Sequence, residues 1–250
     1  MPMLLAICCL LLPLFCSAEA TIQVGTGYSK PPYVISETQS GLELDIVRAA
    51  LSAEQLQMNV VFLPPARALH MFKSGELDAI TTVNEGSHLV GYWSDSHIFY
   101  QNYAITMASR AIAIKKMADL AGHSIAAFQN AKLALGPEYA AAITQASYQE
   151  IPNQLTQNKL LYTGRVEVVI GDRLIFEYLN QSLASRFNVQ QKLQFSAIFP
   201  ATHYKVLFRN RDLRDRFNRG LATIHHNGVY RQIEQKYRPA SPASPASPAH

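Results

Sequence analysis

The chain predicts an α/β fold in which helices cover mostly parallel sheets. Strand-like and helix-like segments alternate along nearly its whole length. The strand-like runs are short, rich in β-branched residues, and bounded by Gly, Pro or Asp. Residues 204–237 return to the style of the first part, with a strand followed by amphipathic helices.

Residues 21–25 alternate as a strand, with Ile22 and Val24 on one face. A helix follows over 41–56, with Leu44, Val47 and Leu51 in line. NVVFL at 59–63 is a second strand. Residues 65–74 form a helix with Pro65 in its first turn, where a missing N–H is harmless. Residues 77–83 give a third strand, completing a β-α-β-α-β unit. A second unit starts near residue 110. It has a helix end at 119–122, a strand at 124–128, helices at 137–145 and 152–162, a buried strand VEVVI at 166–170 and a helix at 175–183. The chain then closes with a strand at 204–208 and helices at 212–225 and 228–237.

Residues 1–20 read as a secretory leader: an apolar run from Leu4 to Phe15, too short to span a bilayer, then Ala18-Glu19-Ala20 before a cleavage point at Thr21. The leader lacks the usual Lys or Arg at its start. All three cysteines, Cys8, Cys9 and Cys16, fall inside it, so the mature chain has no disulfide, thiol nucleophile or thiolate metal site. The formal net charge of +4 is spread out. The arginines between 209 and 219 alternate with Asp212, Asp215 and apolar residues, the pattern of a solvated helix face, and no nucleic-acid partner is expected. The tail 239–250 is an Ala-Ser-Pro repeat, a composition that buries no apolar surface and predicts disorder.

Several stretches carry a family resemblance. TIQVGTGYSKPPYVISETQSGLELDIVRAA at 21–50, KSGELDA at 73–79, GRVEVVIGD at 164–172 and NGVYRQIEQKY at 227–237 jointly resemble the periplasmic solute-binding proteins of family 3, the amino-acid type. The resemblance implies a two-lobed periplasmic-binding-protein-like fold joined by a two-strand hinge. It places lobe one at 21–107 and 199–238 and lobe two at 108–198. It also implies an exported, periplasmic, monomeric protein that captures a small polar, amino-acid-like ligand between the lobes by hinge closure, delivers it to an ABC-type permease or reports it to a membrane sensor, and needs no cofactor.

Loops after strands are where ligands sit in such sheets. Tyr28 and Tyr33 follow the first strand and offer aromatic faces to a ligand, although Tyr33, beside two prolines, equally suits packing of its own loop. Thr82 and Asn84 follow the third strand. There the family places an Arg for the ligand's α-carboxylate, but no Arg occurs between Arg67 and Arg110. His88 or Arg67 could substitute, or the ligand could lack a carboxylate. In lobe two, Gln129 and Asn130 precede a helix whose N-terminus would favour an anion. Asp172 matches the family acid for the ligand's ammonium, and is also placed to cap the helix after it.

Catalysis is not expected. Periplasmic cyclohexadienyl dehydratases share the scaffold, but such an enzyme needs a general acid and a cation for two carboxylates, and the expected Arg is missing. Gly-x-Ser-x-Gly, His-Glu-x-x-His and Gly-x-x-x-x-Gly-Lys are absent from the sequence. His225 and His226 are adjacent on a helix and diverge by about 100°, which does not suit a shared metal.

Overall fold

A computed structural model describes residues 20–238. The expected leader, apart from Ala20, and the tail 239–250 lie outside the described residues. Two sheets, each wrapped by helices, form two lobes.

The first lobe opens with β1 (Ala20–Thr26), α1 (Leu42–Ser52), β2 (Leu56–Phe62), α2 (Pro65–Ser74) and β3 (Ala79–Val83). Short strands β4 (Tyr92–Trp93) and β5 (Ile98–Tyr100) follow. The second lobe holds β6 (Asn102–Met107), β7 (Ser124–Ala127), α3 (Ala131–Ala134), α4 (Gly136–Ala142), β8 (Ser147–Glu150), α5 (Gln154–Tyr162), β9 (Val168–Asp172), α6 (Arg173–Asn180) and β10 (Leu193–Ser196). The chain returns through β11 (Thr202–Phe208), α7 (Arg211–His226) and α8 (Val229–Tyr237).

The strand order of the first sheet is β2-β1-β3-β11-β4, with β5 also on β11; that of the second is β10-β6-β9-β7-β8. The parallel character expected from the alternation holds for β1 with β2 and β3, and for β7 with β8 and β9. The strands next to the crossings join antiparallel, so each sheet is mixed. Asn102–Met107, expected in the first lobe, is hydrogen-bonded to β9 and β10 in the second sheet. The crossing therefore falls at Gln101. Its reason is local: Asn102 pairs with Asp172, while Tyr100 pairs with Thr202.

Helix α1 ends four residues earlier than its apolar pattern suggests, because Leu56 turns into β2 through Gln55 in a left-handed conformation. Leu56 is buried either way, which is why periodicity alone misplaced it.

The main core of the first lobe is α1 and α7 packed on β1 and β11, with Val24, Ile46, Val47, Val206 and Phe217 buried. Ile175 of α6 joins this same cluster, and Leu174 and Leu179 pack on its margin, so a second-lobe helix is seated on the first lobe. The second lobe has its own cores on the two faces of its sheet.

Where α7 crosses α1, Gly220 lies against the backbone: an added Cβ would fall 1.9 Å from the carbonyl oxygen of Ala50. A side chain there must push the two helices apart. Gly220→Ala is expected to destabilise the protein by roughly 1–3 kcal/mol, as overpacking does. Its melting temperature should fall by about 2–4 °C per kcal/mol. An unchanged melting temperature would mean the helices yield freely.

Candidate functional site

The loop from β1 to α1 shapes one side of the inter-lobe region. Gly41 has φ +132°, and a Cβ there would meet the carbonyl oxygen of Tyr33 at 2.3 Å, so only glycine lets the chain pass. The amides of Leu42 and Glu43 donate to the carbonyls of Pro32 and Tyr33 at 2.8 and 3.0 Å, which ties the loop to the helix N-terminus.

Glu43 follows immediately and points into the sheet. Its carboxylate is fully buried and accepts hydrogen bonds from Thr81 Oγ1 at 2.6 Å, Thr82 Oγ1 at 2.9 Å, His97 Nε2 at 3.2 Å and Tyr100 Oη at 2.6 Å. Consecutive strand residues normally point to opposite faces. Thr81 and Thr82 reach one carboxylate because β3 bulges here: Ile80 pairs with Leu207 and Val83 with Lys205, leaving two residues opposite one. Thr82 takes φ +59°, a strained conformation for a β-branched residue. Burial opposes ionisation of Glu43, but the hydrogen bonds from His97, Thr81 and Tyr100 and the charge interaction with His97 outweigh it, lowering the carboxyl to about 2. Since a carboxylate only accepts, His97 Nε2 carries a proton; its Nδ1 is buried without a partner among the described residues.

Above this knot, at the carboxyl ends of β1 and β3, lies a cavity of about 480 Å³. Its walls are largely apolar, with Val34, Leu69, Ile80, Val83 and Leu89 facing Tyr28 and Tyr100. Lys30 lines it too, its Nζ 5.2 Å from the centre of the Tyr100 ring. Thr82 lines the cavity, but its hydroxyl proton is already given to Glu43. Thr26, only 2% exposed, also lines it, and its buried hydroxyl has no partner among the described residues.

A second cavity of about 400 Å³ lies between the lobes, walled by Tyr33, Gln101, Asp172, Leu174 and Glu234. Tyr33 stacks on Tyr100 with ring centroids 3.8 Å apart, so the pair forms a partition with one ring facing each cavity. Tyr33 Oη donates to Asp172 Oδ2 at 3.0 Å, linking the lobes directly. Asp172 also accepts from the Gln101 amide at 3.0 Å and, as the cap of α6, from the Ile175 amide at 3.0 Å. Burial raises its pKa, against the pull of these donors. Gln101 Nε2 in turn donates to the Phe199 carbonyl at 2.6 Å, lacing the two crossing segments together.

The sequence candidates thus separate. Tyr28 and Thr82 meet in the first cavity, and Tyr33 and Asp172 meet at the second. Asp172, expected to face a ligand's ammonium, is engaged by Tyr33, the hinge and its own helix. Arg67, Asn84 and His88 lie outside both linings; Arg67 and His88 are exposed, and Ala66 and Ala68 face the cavity instead. Gln129 and Asn130 are exposed at the end of β7. The turn they form already holds an anion of the chain's own: Glu150 accepts from the Asn130 amide at 2.7 Å and the Lys132 amide at 3.1 Å.

Sequence reasoning missed Glu43, Thr26, Lys30, His97, Tyr100 and Gln101. One signal was readable: Glu43 stands three, four and seven residues before Ile46, Val47 and Ala50, an acid on the apolar stripe of α1. Among the described residues no group of three His, Cys, Asp or Glu could hold a metal ion, and no helix is long and apolar enough to cross a membrane.

Residues 22–240 match the sequence model of the bacterial extracellular solute-binding proteins, family 3, and the chain belongs to that family. No curated protein matches it. Among solved structures, the GluR0 ligand-binding core in complex with L-glutamate is 20% identical with a TM-score of 0.67, over 89% of this chain and all of that one. Substrate-binding domain 2 of GlnP from Lactococcus lactis, in an open conformation, is 18% identical with a TM-score of 0.67, over 88% and 96%. A histidine kinase sensor domain with similarity to periplasmic binding proteins is 18% identical with a TM-score of 0.63, again over 88% and 96%. At these identities the likeness establishes the two-lobed fold.

Glu43 has a folded pKa below the ordinary 4.5, so its ionisation stabilises the protein at neutral pH. That contribution is expected to fade as pH falls from about 4.5 through about 2. Glu43→Gln should cost about 3 kcal/mol or more at pH 7 and flatten this acid limb in urea melts; an acid limb identical to wild type would refute the assignment. At the other knot, Asp172→Ala leaves two buried donors and a helix uncapped and should cost roughly 2–4 kcal/mol, whereas Tyr33→Phe, which keeps the ring stack, should cost about 1 kcal/mol. Equal losses would show that the Tyr33 hydrogen bond alone, and not the Gln101 amide or the α6 cap, accounts for the cost of losing Asp172.

Proposed function

We propose that this member of family 3 is an exported binding protein that captures one small organic solute, of about amino-acid size, between its lobes. The observation that carries the reading is the first-lobe cavity and its partition. One ring of the stacked pair, Tyr100, lines the cavity, and the other, Tyr33, holds Asp172 of the opposite lobe. A solute seated against Tyr28, Thr82 and Tyr100 stabilises the arrangement in which the lobes meet, through its higher affinity for that state. The hinge is formed by the crossings at Gln101 and at residues 197–201, laced by the Gln101–Phe199 hydrogen bond. The solute is bound and released unchanged.

The leader at 1–20 directs the chain to the periplasm, where it hands its solute to an ABC-type permease. The presence among the similar structures of a second substrate-binding domain assigned to an amino acid ABC transporter supports that partner. A second reading has its own support. The same fold serves as a sensor domain of a histidine kinase, and a closed-lobe binder can equally report its ligand to a membrane sensor.

The test is a thermal-shift screen of protein unfolded and refolded to strip carried-over ligand, against amino acids, polyamines, dicarboxylates, sugars and aromatic acids. A true ligand at about 100 times its Kd adds about 2.7 kcal/mol, hence a rise of roughly 5–10 °C. Tyr100→Ala should abolish the rise. A protein that no compound shifts would not be a solute receptor of this kind.

A further inference from the structure

The first-lobe cavity has a chemistry that points to a particular class of solute. Its wall is mostly apolar, and its cation is Lys30. Lys205 and Lys236 are paired with acids, but the Lys30 ammonium faces the Tyr100 ring instead. Among the described residues the wall carries no Asp or Glu. The nearby carboxylate of Glu43 is fully buried behind Thr81, Thr82 and Tyr100, with its oxygens taken by those residues and His97. Asp172 lies on the far side of the stacked rings.

The second, independent observation is Thr26. The residue is 2% exposed and lines the cavity, and its hydroxyl oxygen is buried with no hydrogen-bond partner among the described residues. A buried polar group without a partner is costly to a folded chain unless something else completes it. The threonines that could otherwise donate to a ligand anion have spent their protons on Glu43.

Building on the reading of this cavity as the solute site, we infer that it selects an aromatic or branched apolar carboxylate lacking an ammonium group. The apolar body packs between Ile80, Leu69 and the Tyr28 ring. The carboxylate takes an ion pair from Lys30, and the Thr26 hydroxyl donates the hydrogen bond it withholds from the protein. An α-ammonium would be stripped of water beside Lys30 with no acid to receive it, which disfavours amino acids.

The test is titration calorimetry of the refolded protein with 3-phenylpropionate, its neutral amide, phenethylamine and L-phenylalanine, alongside the other amino acids. The carboxylate should bind at least tenfold more tightly than the amide, and L-phenylalanine and phenethylamine more weakly still. Lys30→Met should remove that preference, weakening the carboxylate about tenfold while leaving the amide unchanged. Thr26→Val should weaken the carboxylate several-fold yet melt no lower than wild type, because it removes an unpartnered hydroxyl. If L-phenylalanine or a polar amino acid binds as tightly as 3-phenylpropionate, the inference fails and the binding-protein reading stands. If neither these compounds nor any other tested solute binds, both fail.

Discussion

A single buried carboxylate organises the first lobe. Glu43 enters from the first turn of α1 and gathers donors from β3, from the segment between β4 and β5 and from β5 itself. Isolated charge in such a place would be prohibitively costly, so the four donors must be held in register before the ion can exist there. The bulge in β3, the left-handed backbone at Thr82 and the close passage at Gly41 all serve that register. The floor of the cavity is rigid because the carboxylate beneath it tolerates little displacement.

A comparable knot joins the lobes. Asp172 takes one donor from the first-lobe loop, one from the crossing strand and one from its own helix. These three meet because β9 ends beside β6, where the crossing begins, and because α6 starts immediately afterward. The apolar side of α6 then settles on the first-lobe core through Ile175. Polar registry and apolar seating act at the same place, so the position of one lobe on the other is set by a few side chains and not by a broad surface.

Much of this architecture was legible in the sequence. The helices α1 and α7 and the strands buried on both faces announce themselves by period and by β-branched runs, and α2 by the proline in its first turn. Short strands such as β4, β5, β8 and β10 carry too few residues to show a period, and their pairing is decided by partners far away in the chain. The site was read less well for a related reason. Tyr28, Tyr33, Thr82 and Asp172 stand out in the sequence because loops after strands converge, and they line the two cavities, but spacing cannot say which hydroxyls are already bonded. The sequence offers Asp172 both as a ligand's partner and as the cap of α6; the structure shows the cap and adds Tyr33, and it brings Glu150 onto the turn at Asn130. Glu43 shows the converse: an acid in the first turn of a helix reads as ordinary favourable placement against the helix dipole, and its place on the apolar stripe of α1 is the one hint of the burial the fold reveals.

The stacked pair of Tyr33 and Tyr100 has a thermodynamic consequence of its own. A group pressing on Tyr100 from the cavity and a group acting on Asp172 from the hinge side meet the same two rings from opposite faces. Their free energies are therefore not independent, and the coupling between them is reciprocal. Whatever a solute does to the grip between the lobes, a force applied to that grip must do in equal measure to the solute.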